Sequence, residues 1–322
     1  MMADLDKISR TSVVGSGYMG GGIAQVLALA GFPVALADVD AATAEKSRDR
    51  LITQAAQYES LGLFPAEAAA VIAENLSAAP SIERAVADAD YITEAVPEIV
   101  DVKLETLRRI SSSARPEAII GTNTSAIPID ELAKEVCEPA RFLGVHWMNP
   151  APFIPGVELI ASTATDSEIV DAAEGFIRSL GKITARVADA PGFVANRLQF
   201  ALYKEALAIV EEGTATPEQV DAVVSNTFGF RLALFGPFAI GDMAGLDVYQ
   251  GAYETLERAF GERFAVPDLL TTLVEQGRIG VKSGRGLLDI AESDKDALLA
   301  YRDRAYARLS ALLAGLGPAP GL

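Results

Sequence analysis

Short apolar runs alternate with longer amphipathic stretches through residues 1–188. The runs at 12–14, 34–37, 91–96, 118–121, 142–147, 157–161 and 183–187 read as buried strands. Between them, 23–30, 41–58, 65–74, 81–87, 102–110, 128–136 and 167–180 carry a helical period. Alanine is abundant across 41–87, and no strand pattern is read there. Strands alternating with helices predict a doubly wound α/β fold of Rossmann type, its mostly parallel sheet covered on both faces. The pattern changes at Pro191-Gly192. From 193 to 212 Val194, Leu198, Ala201, Leu202, Ile209 and Val210 fall on one helical side, and Gly213 closes the stretch. Thr216-Pro217-Glu218-Gln219 is a capping box with proline at the first helical position. Helices are expected over 247–260 and 267–276, then a glycine-rich loop over 277–290 and a terminal helix over 293–315. With no period-two run beyond 187, the second part is predicted to be all-helical. The expected division is a sheet domain over 1–188, a helical domain over 189–290 and a helical extension over 291–322. The apolar helix faces exceed what a small bundle buries, so two copies are expected to pair through the helical domain.

The most informative stretch is TSVVGSGYMGGGIAQVLALAGFPVALAD, residues 11–38. It runs strand, glycine turn, helix, strand, acid, the order of a dinucleotide site. Gly15 permits the tight turn, Gly17 lets the backbone approach a pyrophosphate, and Gly20 lets helix and strand pack closely. Tyr18 and Met19 complete the turn at the helix N-terminus, whose free N–H groups and partial positive charge suit phosphates. Asp38 stands where a carboxylate accepts ribose hydroxyls and repels a 2′-phosphate, so the expected cofactor is NAD rather than NADP.

Composition narrows the partners. A net charge of −17 over 322 residues argues against nucleic acid and anionic membrane. It also means that any phosphorylated ligand needs local Lys or Arg. The longest apolar run, 23–37, is broken by Gly31 and Pro33 and is too short to span a bilayer. The opening MMADLDKISR lacks the apolar core of a secretory leader. A single cysteine, Cys137, allows no intrachain disulfide, which fits a reducing cytoplasm. Its setting, AKEVCEP, with acids on both sides, does not favour a nucleophile. No metal site is expected.

The chain has one histidine, His146, at the end of a predicted strand and just before Trp147-Met148-Asn149-Pro150. Strand carboxyl ends face the ligand crevice of such a sheet. Glu158 follows twelve residues on, after Pro155 and Gly156, so that strand, turn and strand can bring it beside His146. A carboxylate on one ring nitrogen fixes the tautomer and stabilises the imidazolium. Alcohol oxidation with NAD requires a base for the hydroxyl proton, and imidazole suits that role near neutral pH.

These residues lie within segments that resemble the 3-hydroxyacyl-CoA dehydrogenase family over nearly the whole chain: GSGYMGGGIA, EAVPE (94–98), TNTSAIPI (122–129), GVHWMNPAPFIPGVELI (144–160), PGFVANRL (191–198), GPFAIGDMAGLDV (236–248) and KSGRGLLD (282–289). The resemblance implies a dinucleotide-binding domain followed by a helical dimerising domain. It implies His146 as catalytic base, Glu158 as its acid partner, and Ser125 and Asn196 as contacts of the reacting oxygen. Asn149 is implied at the substrate, and Glu98, Lys103 and Asn123 at the cofactor, the first two near the nicotinamide and its ribose. Without the resemblance, Ser125 reads equally as a cap before Pro128, Asn196 as a polar helix position, and Glu98 and Lys103 as strand-end and helix-surface charges.

Two departures bear on the substrate. Family members that bind CoA commonly place lysines near its phosphates, whereas no lysine occurs here between Lys46 and Lys103. GFRLALFGPF (229–238) sets Arg231 in an apolar stretch and, with the tail YRDRAYARLSALL (301–313), resembles the lambda-crystallin and gulonate or carnitine dehydrogenase branch. Arg231 either grips a free carboxylate with a bidentate fork or snorkels to solvent. The first reading of the substrate is a short-chain 3-hydroxyacyl-CoA, and the second is a free 3-hydroxy acid. A catalytically silent structural homologue would have no use for the His146–Glu158 pair.

Overall fold

The computed structural model describes residues 8–321; residues 1–7, on which the leader expectation falls, and 322 lie outside it. The chain divides into two compact units, one running to Tyr203 and the other starting at Lys204. The first is built on β1 (Thr11–Val14), β2 (Val34–Ala37), β3 (Leu76–Ala78), β4 (Tyr91–Glu94), β5 (Ile119–Thr122), β6 (Phe142–Trp147), β7 (Gly156–Ala161) and β8 (Ile183–Val187). These form one sheet in the order β3-β2-β1-β4-β5-β6-β7-β8. Every neighbouring pair is parallel except β6 and β7, which are antiparallel and place His146 opposite Glu158.

Side chains from successive strand residues go to opposite faces, and each face has its own core. Val13, Tyr91, Ile119, Leu143 and Leu159 enter one; Val14, Ile92, Ile120, Phe142 and Ile160 enter the other. The helices α1 (Tyr18–Leu29), α2 (Ala41–Ser60), α3 (Ala68–Asn75) and α7 (Ser167–Ser179) cover the first face through Ile23, Leu27, Leu51, Ile72 and Phe176. The helices α4 (Ile82–Val86), α5 (Val100–Ser113) and α6 (Ile129–Ala133) cover the second through Ile82, Leu107, Ile110 and Leu132. This is the doubly wound arrangement that the alternation of runs predicts.

Two local expectations are corrected. β3 lies in the stretch where no strand is expected, because an edge strand of three residues, Leu-Ser-Ala, has only Leu76 fully buried and shows no period. α1 starts at Tyr18 rather than 23, since close packing around Gly20, Gly21 and Gly22 outweighs the low helix propensity of glycine.

Among the described residues the second unit has helices and no named strand, with two isolated bridges, Gly280–Arg285 and Arg285–Asp289, in the glycine-rich loop. α8 (Ala195–Glu211) begins in the first unit and continues into the second. The others are α9 (Pro217–Asn226), α10 (Phe228–Leu232), α11 (Pro237–Ala244), α12 (Leu246–Phe260), α13 (Asp268–Glu275) and α14 (Lys295–Leu316). The capping box at Thr216 forms as expected, with both its reciprocal hydrogen bonds. Gly229, Gly236 and Gly241 interrupt the period that would have revealed α10 and α11. A small core of Leu246, Leu270 and Leu273 is backed by Tyr249, Tyr253 and Leu287. Buried Asp242 accepts the main-chain N–H groups of Leu287 and Leu288, at 3.1 and 2.7 Å, which folds the glycine-rich loop back onto α11. Val223, Phe238, Val248, Phe260 and Leu312 remain exposed. Among the described residues no helix is long and apolar enough to cross a membrane.

Candidate active site

The glycine turn lies at the carboxyl end of β1. Gly15 has φ +98°, and a Cβ there would come within 2.6 Å of the Ala95 oxygen; a Cβ at Gly20 would meet the Gly15 oxygen at 1.8 Å. These two glycines lock turn, helix and neighbouring strand together. A Cβ at Gly17, by contrast, would meet nothing within 4 Å. Gly17 is the N-cap of α1 without a side-chain cap, and the first turn contains no acid. Tyr18 is exposed and Met19 packs against the core. A bare, positively polarised helix end beside open space fits the pyrophosphate of a dinucleotide.

Asp38 follows β2 at the same mouth. Its Oδ2 accepts the Ser16 N–H at 2.7 Å and the Ser16 hydroxyl, and its Oδ1 accepts the Val39 N–H at 2.7 Å. Ser16 Oγ also meets Ser47 Oγ at 2.8 Å. The carboxylate is therefore aimed by the turn itself, with acceptor capacity to spare. Asp38→Ala is expected to narrow the NADH-over-NADPH binding preference by about 10-fold, the scale of one charge-assisted hydrogen bond. Titration of both nucleotides measures this ratio, and an unchanged ratio would remove Asp38 from the ribose.

At the ends of β4 and β5 the structure holds an ionic centre. Lys103 is fully buried, not a helix-surface charge. Its Nζ donates to Glu94 Oε1 and Oε2 at 3.0 and 3.2 Å and pairs with Glu98 Oε2 at 3.4 Å. Glu94 is equally buried and also accepts the Thr122 hydroxyl and the Val96 N–H. Glu98 Oε1 accepts the Thr124 hydroxyl at 2.6 Å and the N–H groups of Ser125 and Ala126 at 2.8 and 3.1 Å. Burial alone would push the Glu98 carboxyl up, but Thr124, Lys103 and the two N–H groups together hold it below the usual carboxylate range. Glu94 did not stand out in the sequence; an acid ending the otherwise apolar YITE strand was the available signal.

His146 is buried at 4 % exposure, and its Nδ1 lies 2.9 Å from Glu158 Oε2. Glu158 Oε1 accepts the N–H groups of Val194 and Ala195, at 3.0 and 2.9 Å, at the start of α8. Burial pushes the Glu158 carboxyl up, yet the hydrogen bond from His146 and these two N–H groups prevail and hold it low. An ionised carboxylate at Nδ1 assigns the ring proton to that nitrogen and leaves Nε2 as the basic one. Asn196, in the first turn of α8, donates through Nδ2 to the Ser125 carbonyl at 3.0 Å, so that hydrogen bonds tie the two residues together. The Asn123 side chain accepts the Trp147 N–H at 2.9 Å and ties the ends of β5 and β6. Asn149 is exposed just past β6. Lys182, buried and unremarked in the sequence, donates to the carbonyls of Ala151 and Ile154 at 2.6 and 2.8 Å and fixes the loop between β6 and β7. Arg231 lies on α10 of the second unit. No cluster of His, Cys, Asp or Glu among the described residues could hold a metal ion.

Residues 10–190 match the description "3-hydroxyacyl-CoA dehydrogenase, NAD binding domain", and 192–290 match the C-terminal domain of the same family. A Mesorhizobium japonicum protein named 5-formyl-3-hydroxy-2-methylpyridine 4-carboxylate 5-dehydrogenase is 34 % identical over 96 % of this chain and 99 % of its own length. A Bacillus subtilis protein named probable 3-hydroxybutyryl-CoA dehydrogenase is 34 % identical over 89 % of this chain and 99 % of its own. The crystal structure of a 3-hydroxyacyl-CoA dehydrogenase from Archaeoglobus fulgidus superposes with a TM-score of 0.77 at 35 % identity, covering 96 % of this chain and 99 % of that one. With both of its domains matched and a glycine turn shaped for the cofactor, the chain belongs to the 3-hydroxyacyl-CoA dehydrogenase family of NAD-dependent oxidoreductases.

Proposed function

We propose that the chain oxidises the 3-hydroxyl of a short-chain 3-hydroxyacyl-CoA to the 3-oxo compound, with His146 as base. The observation that carries this reading is the buried His146–Glu158 pair, 2.9 Å apart across β6 and β7. Bound NAD supplies the hydride acceptor. His146 Nε2 takes the hydroxyl proton, and Glu158 steadies the imidazolium that results. Ser125 and Asn196 hold the reacting oxygen and offset charge that develops on it. Gly15, Gly17, Tyr18, Met19, Gly20, Asp38, Glu98, Lys103 and Asn123 serve the cofactor, and Asn149 the substrate. The chain divides in this reading into a cofactor domain over 1–188, a substrate and pairing domain over 189–290 and an extension over 291–322. It works in the cytoplasm, in fatty-acid metabolism, as a homodimer formed through the exposed apolar helix faces of the second unit.

A second reading, oxidation of a free hydroxy acid, is favoured by Arg231, which none of the described carboxylates pairs with. The lack of lysine between Lys46 and Lys103 and the carboxylate in the name of the Mesorhizobium relative point the same way. Side-by-side kinetics on 3-hydroxybutyryl-CoA and free hydroxy acids test both. Arg231→Met is expected to raise KM for a free acid by about 10- to 100-fold and barely to affect a thioester, if the guanidinium grips the carboxylate. Equal effects on both would return the substrate to the thioester.

A further inference from the structure

With a net charge of −17 on the chain, any cation near the phosphates of a dinucleotide has to be supplied locally. Several arginines of the first unit are committed to carboxylates: Arg109 to Glu83, Arg115 to Asp90, Arg186 to Asp171 and Glu174. Arg50 is not; none of the described carboxylates pairs with it. It lies on α2 one turn after Ser47, on the side that meets the glycine turn, and its Nη2 donates to the Ser16 main-chain oxygen at 2.9 Å. Ser16 is thereby bracketed, with its N–H and hydroxyl given to Asp38 and its carbonyl accepting from Arg50. A Cβ at Gly21 would stand 2.9 Å from Leu51 Cδ2 and 3.4 Å from Arg50 Nη2. The glycine at 21, outside the three-glycine fingerprint, is what lets this part of α2 lie against the first turn of α1.

We propose that Arg50 is a phosphate-binding residue of the dinucleotide site. The bare end of α1 offers only partial charge, and Asp38 at the same mouth repels phosphate. Arg50 brings a full positive charge to that mouth. Its side chain is exposed and only one of its five N–H donors is spent on a protein acceptor, so the rest of the fork is available to a phosphate oxygen. The phosphate is the pyrophosphate of NAD or, with NADP, the 2′-phosphate; the chemistry is the same.

The proposal rests on the dinucleotide site already described, and the test separates the two. Wild type, Arg50→Gln and Arg50→Lys are titrated with NADH by fluorescence, and with ADP-ribose, NADPH and adenosine by competition. Wild-type binding of NADH reports the site; the ratio of variant to wild type reports Arg50. Arg50→Gln is expected to weaken NADH and ADP-ribose by about 5- to 20-fold, a charge-assisted bond discounted for exposure, with adenosine unchanged and Arg50→Lys recovering part of the loss. A loss confined to NADPH assigns the 2′-phosphate and still makes Arg50 a phosphate ligand. Equal weakening of adenosine, or a change below about 2-fold for every phosphate-bearing probe, overturns the proposal.

Discussion

His146→Gln is expected to lower kcat by about 100- to 10,000-fold, the usual worth of a positioned general base. No other imidazole exists in the chain to take its place. The binding of NADH is expected to stay within about 2-fold, because the glycine turn, Asp38 and Arg50 belong to other strands and helices of the sheet. Steady-state rates on 3-hydroxybutyryl-CoA, paired with an NADH titration, measure both halves. A comparable loss in NADH affinity would mean that the residue supports the cofactor site and is not the base.

Glu158→Gln is expected to cost about 10,000-fold in kcat, the scale of the loss when the acid of such a pair becomes an amide. The glutamine oxygen can still accept the N–H groups of Val194 and Ala195, which keeps the start of α8 in place. Its amide N–H then donates to His146 Nδ1, forcing the ring proton onto Nε2 and leaving no base where the substrate needs one. Glu158→Ala removes those acceptors as well and is expected to lose about 1–3 kcal/mol of stability on top of the rate. Acid unfolding supplies an independent check. The folded Glu158 carboxyl lies below its unfolded value. Its contribution is therefore whole above the ordinary glutamate range and fades as pH falls through the lower, folded value. The difference between wild type and Glu158→Gln in unfolding midpoint should shrink over that same acid interval; a difference independent of pH would show that the carboxylate is not held low.

Much of this was legible in the residues. The strand at 142–147 and the turn residues Pro155-Gly156 place His146 opposite Glu158, and the structure sets them in register. The glycine turn and Asp38 follow from spacing alone. The ionic centre of Glu94, Lys103 and Glu98 was not legible, because a lysine in a helix of alternating charge reads as exposed unless its burial against β4 and β5 is known. Neither was the aim of Asp38, since the partner is a serine inside a motif read for its glycines. Lys182 was missed for a similar reason: its acceptors are main-chain carbonyls, which carry no sequence signature.

The antiparallel pairing of β6 with β7 has a consequence for what the chain can tolerate. The connection over 148–155 is itself held, by Lys182 at the carbonyls of Ala151 and Ile154 and by Ala151 buried in the core, so loop and ladder together fix the spacing. A frame error of a single residue would swap the inward and outward rows of β7 and carry Glu158 to the opposite side of the sheet from His146. Chemistry here depends on the zipper of main-chain bonds beneath it, and the same buried rows of β7 that pack the two cores hold the acid in reach of the imidazole.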